Sequence, residues 1–284
     1  MSRDRFGKLK EFLLQKRRIL FSGGLALVGL CIVAWLIVDF YWSERESEAK
    51  MEELRQQMAN MTEPLAEPST ENEGETEQEE LKEERVPNPY GALFAQNDDM
   101  AAWLVVDGTV INYPVMQTME DENYYLERDF EGNADKSGCL ILDTDSSLYG
   151  AGTTNLIIHG HNMKAGTMFG GLSSYESEDY YQDHKQITLY TKGEERQYEV
   201  IAAFYSQVYY ATDLVFKYYN FFQADTEEEF RYFYDNIKEL SLYDTGVTAE
   251  LGDKFLTLST CAYHVEDGRF VVVAKEIGRG PKYE

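Results

Sequence analysis

The hydrophobic pattern divides the chain into four stretches. Residues 1–18 are polar and basic, with Arg3, Arg5, Lys8, Lys10, Lys16, Arg17 and Arg18. From Ile19 to about Trp42 the side chains are mostly apolar, with no charge before Asp39. That run exceeds the roughly 20 residues a helix needs to cross a bilayer, so it predicts a transmembrane signal-anchor helix over 19–42. Residues 43–88 offer little to bury. Glu44 to Gln57 is rich in helix-favouring Glu, Arg, Lys, Met and Leu and reads as a charged stalk. Thr62 to Glu80 is Pro, Ser, Thr, Asn and Glu, which predicts a flexible acidic linker stretched by self-repulsion. The composition becomes that of a folded domain over 89–284.

Within that domain, short β-type runs, most of them continuously apolar and one (Gln186–Tyr190) alternating, predict strands. A short helix is expected over Asn97 to Ala102, leading into the run Trp103-Leu104-Val105-Val106. Asp107-Gly108 is a hairpin turn signal, and Thr109 to Tyr113 is the return strand. Further strands are expected at Gly138–Leu142, Asn155–Ile158, Gln186–Tyr190 and Gln197–Phe204. One helix stands out: Asp225 or Thr226 caps it and Glu227, Glu228 and Glu229 suit its positive end. Phe230, Phe233, Tyr234, Ile237 and Leu240 then recur at helical spacing. Two more β runs follow, Lys254–Leu258 and Phe270–Ala274. About eight strands with few helices indicate a mainly β fold, a closed barrel with peripheral helices.

Charge and cysteines narrow the class. The net charge of −25 excludes a nucleic-acid partner, which needs a basic face to neutralise phosphates. It is uneven along the chain, with 15 acidic residues against four basic ones between Glu44 and Glu84. Basic residues before the apolar run and acids after it predict a cytoplasmic N-terminus and an extracellular barrel, bound to the cell membrane by one pass. A cleaved signal peptide would have a shorter apolar core and a small-residue cleavage site; here bulky Trp35, Phe40, Tyr41 and Trp42 intervene. Three cysteines, Cys31, Cys139 and Cys261, are too few and too scattered for a disulfide framework.

The chemistry converges on three residues. Cys261 ends one β run and Arg269 opens the next, so thiol and guanidinium can face one another across a hairpin. His161, in Ile157-Ile158-His159-Gly160-His161-Asn162, is the candidate base. A thiolate is a strong nucleophile, but a free thiol is mostly protonated at neutral pH, and an imidazole can take the proton and return it to a leaving amine. Arg269 stays charged and would stabilise a developing oxyanion. Bland alternatives remain for Cys261: a packed core cysteine, or a disulfide with Cys139. Zinc held by His159, His161, Cys261 and His264 is a further alternative, but structural zinc usually uses richer Cys/His knuckles with wider loops, and no metal and no cofactor are expected.

These residues also resemble a known family. Thr257-Leu258-Ser259-Thr260-Cys261 is similar to the TLxTC signature of sortases, the cysteine transpeptidases of Gram-positive bacterial surfaces. Arg269 opens the following strand and His161 follows a glycine, as in that family. Gly160 to Phe169, Ile111-Asn112-Tyr113-Pro114-Val115 and the helix from Thr226 to Leu240 resemble class B. The likeness covers about residues 89–277. It implies an eight-stranded sortase barrel and cleavage of a sorting signal on secreted proteins. Cys261 would hold the acyl group as a thioester, and an amine of a peptidoglycan precursor (lipid II) or of a pilin lysine would resolve it. It further implies that Ser259 and Asn112 line the peptide groove and that Val208 to Phe222 form its wall. Class B members often carry an aromatic where His159 stands, so a second imidazole here is a departure. A non-enzymatic extracellular peptide-binding module is the alternative from another class.

Overall fold

The structure, a computed structural model, describes residues 28–39, 41–57, 85–150 and 152–284. It divides into two units, Met1–Glu46 and Ser47–Glu284. In the first unit the described residues are helical, and every large apolar side chain from Val28 to Val38 is more than half exposed. No helix among the described residues is long and apolar enough to cross a membrane. The basic tail over 1–18, the first part of the expected span and residues 58–84 of the expected linker lie outside the described residues.

The second unit opens with helix α1 (residues 47–57) and a two-residue strand β1 (Arg85–Val86). Helix α2 (Gly91–Gln96) and strands β2 (Met100–Val106), β3 (Asn112–Met116), β4 (Leu140–Leu142) and β5 (Asn155–Gly160) follow. Then come α3 (Glu178–Asp183), β6 (Gln186–Thr191), β7 (Glu194–Gln207), α4 (Glu227–Leu240), β8 (Phe255–Cys261) and β9 (Gly268–Tyr283). The sheet order is β1-β9-β7-β6-β2-β3-β4-β5-β8, and β8 also pairs with β9. That last pairing closes β2–β9 into an eight-stranded barrel, which removes free edges, while β1 pairs with the far end of β9.

Alternation along the strands builds two cores. In β8, Leu256 and Leu258 point into the barrel with Leu156 and Ile158 of β5 and Val272 of β9. Phe255 points outward with Ile201, Phe204 and Val271, where Phe230, Phe233 and Ile237 of α4 cover them. Each such side chain stabilises the fold by about 1.5–3 kcal/mol relative to exposure. Of the two candidate caps for α4, Thr226 serves: its hydroxyl accepts from Glu229 N, and Glu229 Oε2 accepts from Thr226 N at 3.0 Å. This reciprocal box satisfies two N–H groups that the first turn leaves free.

Two expectations need correction. The helix expected over 97–102 lies at Gly91–Gln96, because the Asn97 side chain ends it, accepting from Asp99 N at 2.9 Å and donating to the Phe130 carbonyl. The barrel unit also begins far upstream of residue 89. Met51 of α1 is buried and Leu54 packs on the barrel core, while the Arg55 guanidinium lies 4.8 Å over the Tyr113 ring. A helix with so narrow an apolar line reads in sequence as solvated stalk.

Candidate active site

The site arises from strand register. The parallel β5–β8 pair runs from Asn155 opposite Phe255 to Gly160 opposite Thr260, so His161 leaves β5 beside the end of β8 that carries Cys261. In the antiparallel β8–β9 pair, Cys261 lies directly opposite Arg269. Because side chains alternate between faces, Ser259, Cys261, His159, His161 and Arg269 emerge on the outer face of the barrel. All five line one cavity of about 320 Å³. Its wall comes from the segment after β7, with Val208, Tyr218 and Tyr219, and from the turn before β4, with Glu122, Asn123 and Leu126. Gly160 is needed at its position: a Cβ there would lie 2.4 Å from Leu140 Cδ2 and 2.7 Å from the Phe169 ring.

His161 is oriented by backbone. Its Nε2 lies 2.8 Å from the Leu126 carbonyl oxygen. A carbonyl only accepts, so Nε2 carries the hydrogen and Nδ1 of the neutral ring is the basic nitrogen. Arg269 Nη1 donates to the Asp267 and Gly268 carbonyls at 3.2 and 3.0 Å. Among the described residues no carboxylate pairs with it, so its charge remains directed at the cavity. Cys261 is free and half-buried, whereas Cys139 is free and fully buried, and that burial pushes its thiol well above the ordinary range.

Ser259 is buried and its Oγ lies 2.7 Å from Tyr218 Oη. Burial pushes the Tyr218 hydroxyl up to about 12, against the opposing pull of the Ser259 bond and the Arg269 charge. The Tyr218 wall is also tied down where Asn155 Nδ2 donates to the Phe221 carbonyl at 3.0 Å and Thr257 Oγ1 donates to Asn155 Oδ1 at 2.9 Å. Asn112 lies elsewhere. It begins β3, its Oδ1 accepts from Trp103 Nε1 at 2.6 Å, and it is not part of the cavity lining. The structure thus brings together His161, Cys261, Arg269 and Ser259, but not Asn112.

The histidines separate. His159 Nε2 lies 3.3 Å from Asp143 Oδ2, and Glu122 completes a set whose candidate ligand atoms all fall within 4.8 Å, the one group among the described residues able to hold a metal ion. His264 packs on the Tyr205 ring at 4.6 Å, and His184 Nδ1 lies 2.9 Å from the Asp107 carbonyl. The four ligands considered for zinc in sequence form no such set among the described residues. Sequence reading passed over Asn123 and Leu126, which sit in a connection without hydrophobic period. It also left Tyr218 unnamed within the stretch Val208 to Phe222.

Comparison with known proteins gives a consistent result. The Sortase domain family matches residues 104–277. Sortase B of Staphylococcus aureus is 28% identical over 258 residues, covering 89% of this chain and 94% of that protein. Sortase B of Listeria monocytogenes is 30% identical over 188 residues, covering 63% and 70%. Among solved structures, the S. aureus sortase B–substrate complex superposes with a TM-score of 0.66 at 27% identity, covering 82% of this chain and 97% of that one. Sortase B from B. anthracis in complex with AAEK1 gives 0.65 at 27%, covering 84% and 100%. Barrel closure, strand register at the cavity and these matches agree: the chain belongs to the sortase family, class B.

Proposed function

We propose that this protein is a membrane-anchored cysteine transpeptidase that cleaves a sorting signal of secreted proteins and transfers the new acyl end to an amine. The observation that carries the reading is the register that sets Cys261 opposite Arg269 and beside His161 at one cavity. Cys261 Sγ attacks the scissile carbonyl, and His161 Nδ1 takes the thiol proton. Arg269 donates to the oxygen as it gains negative charge. The C–N bond breaks, the imidazolium protonates the leaving amine, and an acyl thioester remains. An acceptor amine then attacks that carbonyl, losing a proton to His161. The C–S bond breaks, and the thiolate recovers its proton. The acceptor is an amine of a peptidoglycan precursor, with a pilin lysine as the alternative. The S. aureus relative is described as a substrate complex and another sortase B structure as a complex with triglycine, which favours an amine acceptor of peptide type.

The exposed apolar helix over 28–39 supports anchoring through the N-terminus, since such a surface is stable in lipid rather than water. The reading is tested by mass spectrometry of the full chain mixed with a pool of sorting-signal peptides. An acyl adduct on Cys261, absent in Cys261→Ala and discharged to a ligated product by added amine, supports it. Release by water alone, unchanged by amine, would make the enzyme a thiol peptidase. Absence of any adduct while peptides still bind would leave a peptide-binding module.

A further inference from the structure

The strands that carry the base and the nucleophile part company where the chemistry begins. Phe255 N donates to the Thr154 carbonyl at 2.7 Å, which sets the phase of the parallel β5–β8 ladder. In that phase, odd-numbered β8 carbonyls meet even-numbered β5 N–H groups. Continued one step past Gly160 and Thr260, the next rung would join the Asn162 backbone N–H to the Cys261 carbonyl. The chain turns away first: Asn162 pairs with Met168 instead, and Phe169 N donates to the His161 carbonyl at 3.0 Å, folding 161–169 into its own loop. The Asn162 side chain fills the vacated place, its Nδ2 donating to the Cys261 carbonyl at 2.7 Å. Since a carbonyl only accepts, the amide nitrogen must be the group that faces it.

We infer that Asn162 is a positioning residue for the reaction proposed above, whose side-chain amide replaces the missing ladder rung and clamps the Cys261 strand end to the His161 turn. The inference rests on that proposed reading for its catalytic meaning. Asn162 is not among the residues lining the cavity, so it acts through Cys261 and His161 and not on substrate. Holding the Cys261 carbonyl fixes the backbone torsion next to Cα, and with it the direction in which Sγ leaves the strand. Holding it from the residue after His161 fixes the spacing of thiol and imidazole. Thr260 Oγ1, donating to the Gly160 carbonyl at 2.7 Å, ties the preceding step in the same manner.

The test compares the full chain in detergent with Asn162→Asp and Asn162→Ala. Aspartate keeps the shape but turns a donor toward the carbonyl into an acceptor. Two quantities are read: kcat and KM on a sorting-signal peptide, and the rate of Cys261 alkylation by iodoacetamide at neutral pH, which needs no substrate. Loss of one such hydrogen bond is expected to lower kcat and the alkylation rate about 3- to 10-fold, with KM within roughly twofold. The thermal midpoint should stay within about 4 °C of the parent. Parent-like kcat and alkylation in Asn162→Asp would overturn the inference, as would a kcat loss that merely follows the unfolded fraction. If Asn162→Ala does not fold, the isosteric Asn162→Asp decides alone. Should the parent form no thioester with any peptide, the proposed reaction fails; slowed alkylation in Asn162→Asp would still support the clamp.

Discussion

Gly138→Ala is the substitution for which the structure makes the sharpest demand. Gly138 has a φ of +58°, and a Cβ built there would lie 2.1 Å from the Leu126 carbonyl oxygen and 2.7 Å from that of Tyr125. The left-handed backbone costs an alanine about 1–2 kcal/mol. The overlap is worse, because both clashing atoms are backbone, held by the turn Tyr124–Glu127 and by Cys139 N donating to the Tyr125 carbonyl at 2.8 Å. To reach ordinary contact the Leu126 carbonyl must move by about 1 Å, enough to break its 2.8 Å bond with His161 Nε2. Losing that bond adds about 0.5–1.5 kcal/mol, which with the backbone penalty sums to about 1.5–3.5 kcal/mol, and the overlap brings the total to at least about 3 kcal/mol. For a domain of this size that is a fall of roughly 6–12 °C in thermal midpoint. A released imidazole forfeits part of the ~10²–10⁴-fold that acid–base catalysis supplies, so kcat should fall at least ~10-fold, even at temperatures where the variant is folded. Calorimetry and single-turnover kinetics below the transition measure both. A variant with parent-like midpoint and kcat would refute the claim that the Leu126 carbonyl orients His161.

Arg269→Lys keeps the charge but loses the planar fork; kcat should fall about 10²-fold at near-parent stability, measured with the peptide assay. Phe233 is fully buried, stacks on Phe221 at 3.9 Å and meets Phe255 edge-on at 5.2 Å, so Phe233→Ala should cost about 3–5 kcal/mol in denaturant unfolding. Burial raises the Asp129 carboxyl, but the Asn133 N–H and the Lys50 ammonium at 3.1 Å outweigh it and hold the group below its ordinary value. A folded pKa below the unfolded one means stability that is complete above about pH 4 and is lost as pH falls through the folded value. Unfolding free energy measured against pH should therefore decline more steeply below that point in the parent than in Asp129→Asn.

Local pattern sufficed wherever a residue's role depends on its near neighbours. The apolar run Lys254–Leu258 indicated a strand, and the spacing of Phe230, Phe233 and Ile237 indicated a helix with one apolar face. The placing of Cys261 at a strand end and Arg269 at the next strand's start already implied a facing pair, because a hairpin fixes cross-strand partners by counting. His161 was legible from its residue type and from the resemblance of Gly160 to Phe169; what sets it beside Cys261 is parallel pairing between strands 100 residues apart in number, which no local period encodes. The same reason hid α1, whose Met51 and Leu54 look solvated until the barrel is there to receive them. It also hid the backbone contact of Leu126, since every residue carries a carbonyl and only the folded chain selects one. Sequence alone determined the barrel-forming strands, the capped helix and the three chemical types. Tertiary structure decided which nitrogen of His161 is basic, which side chains wall the cavity, and that Asn112 stands apart, because these depend on contacts between segments distant along the chain.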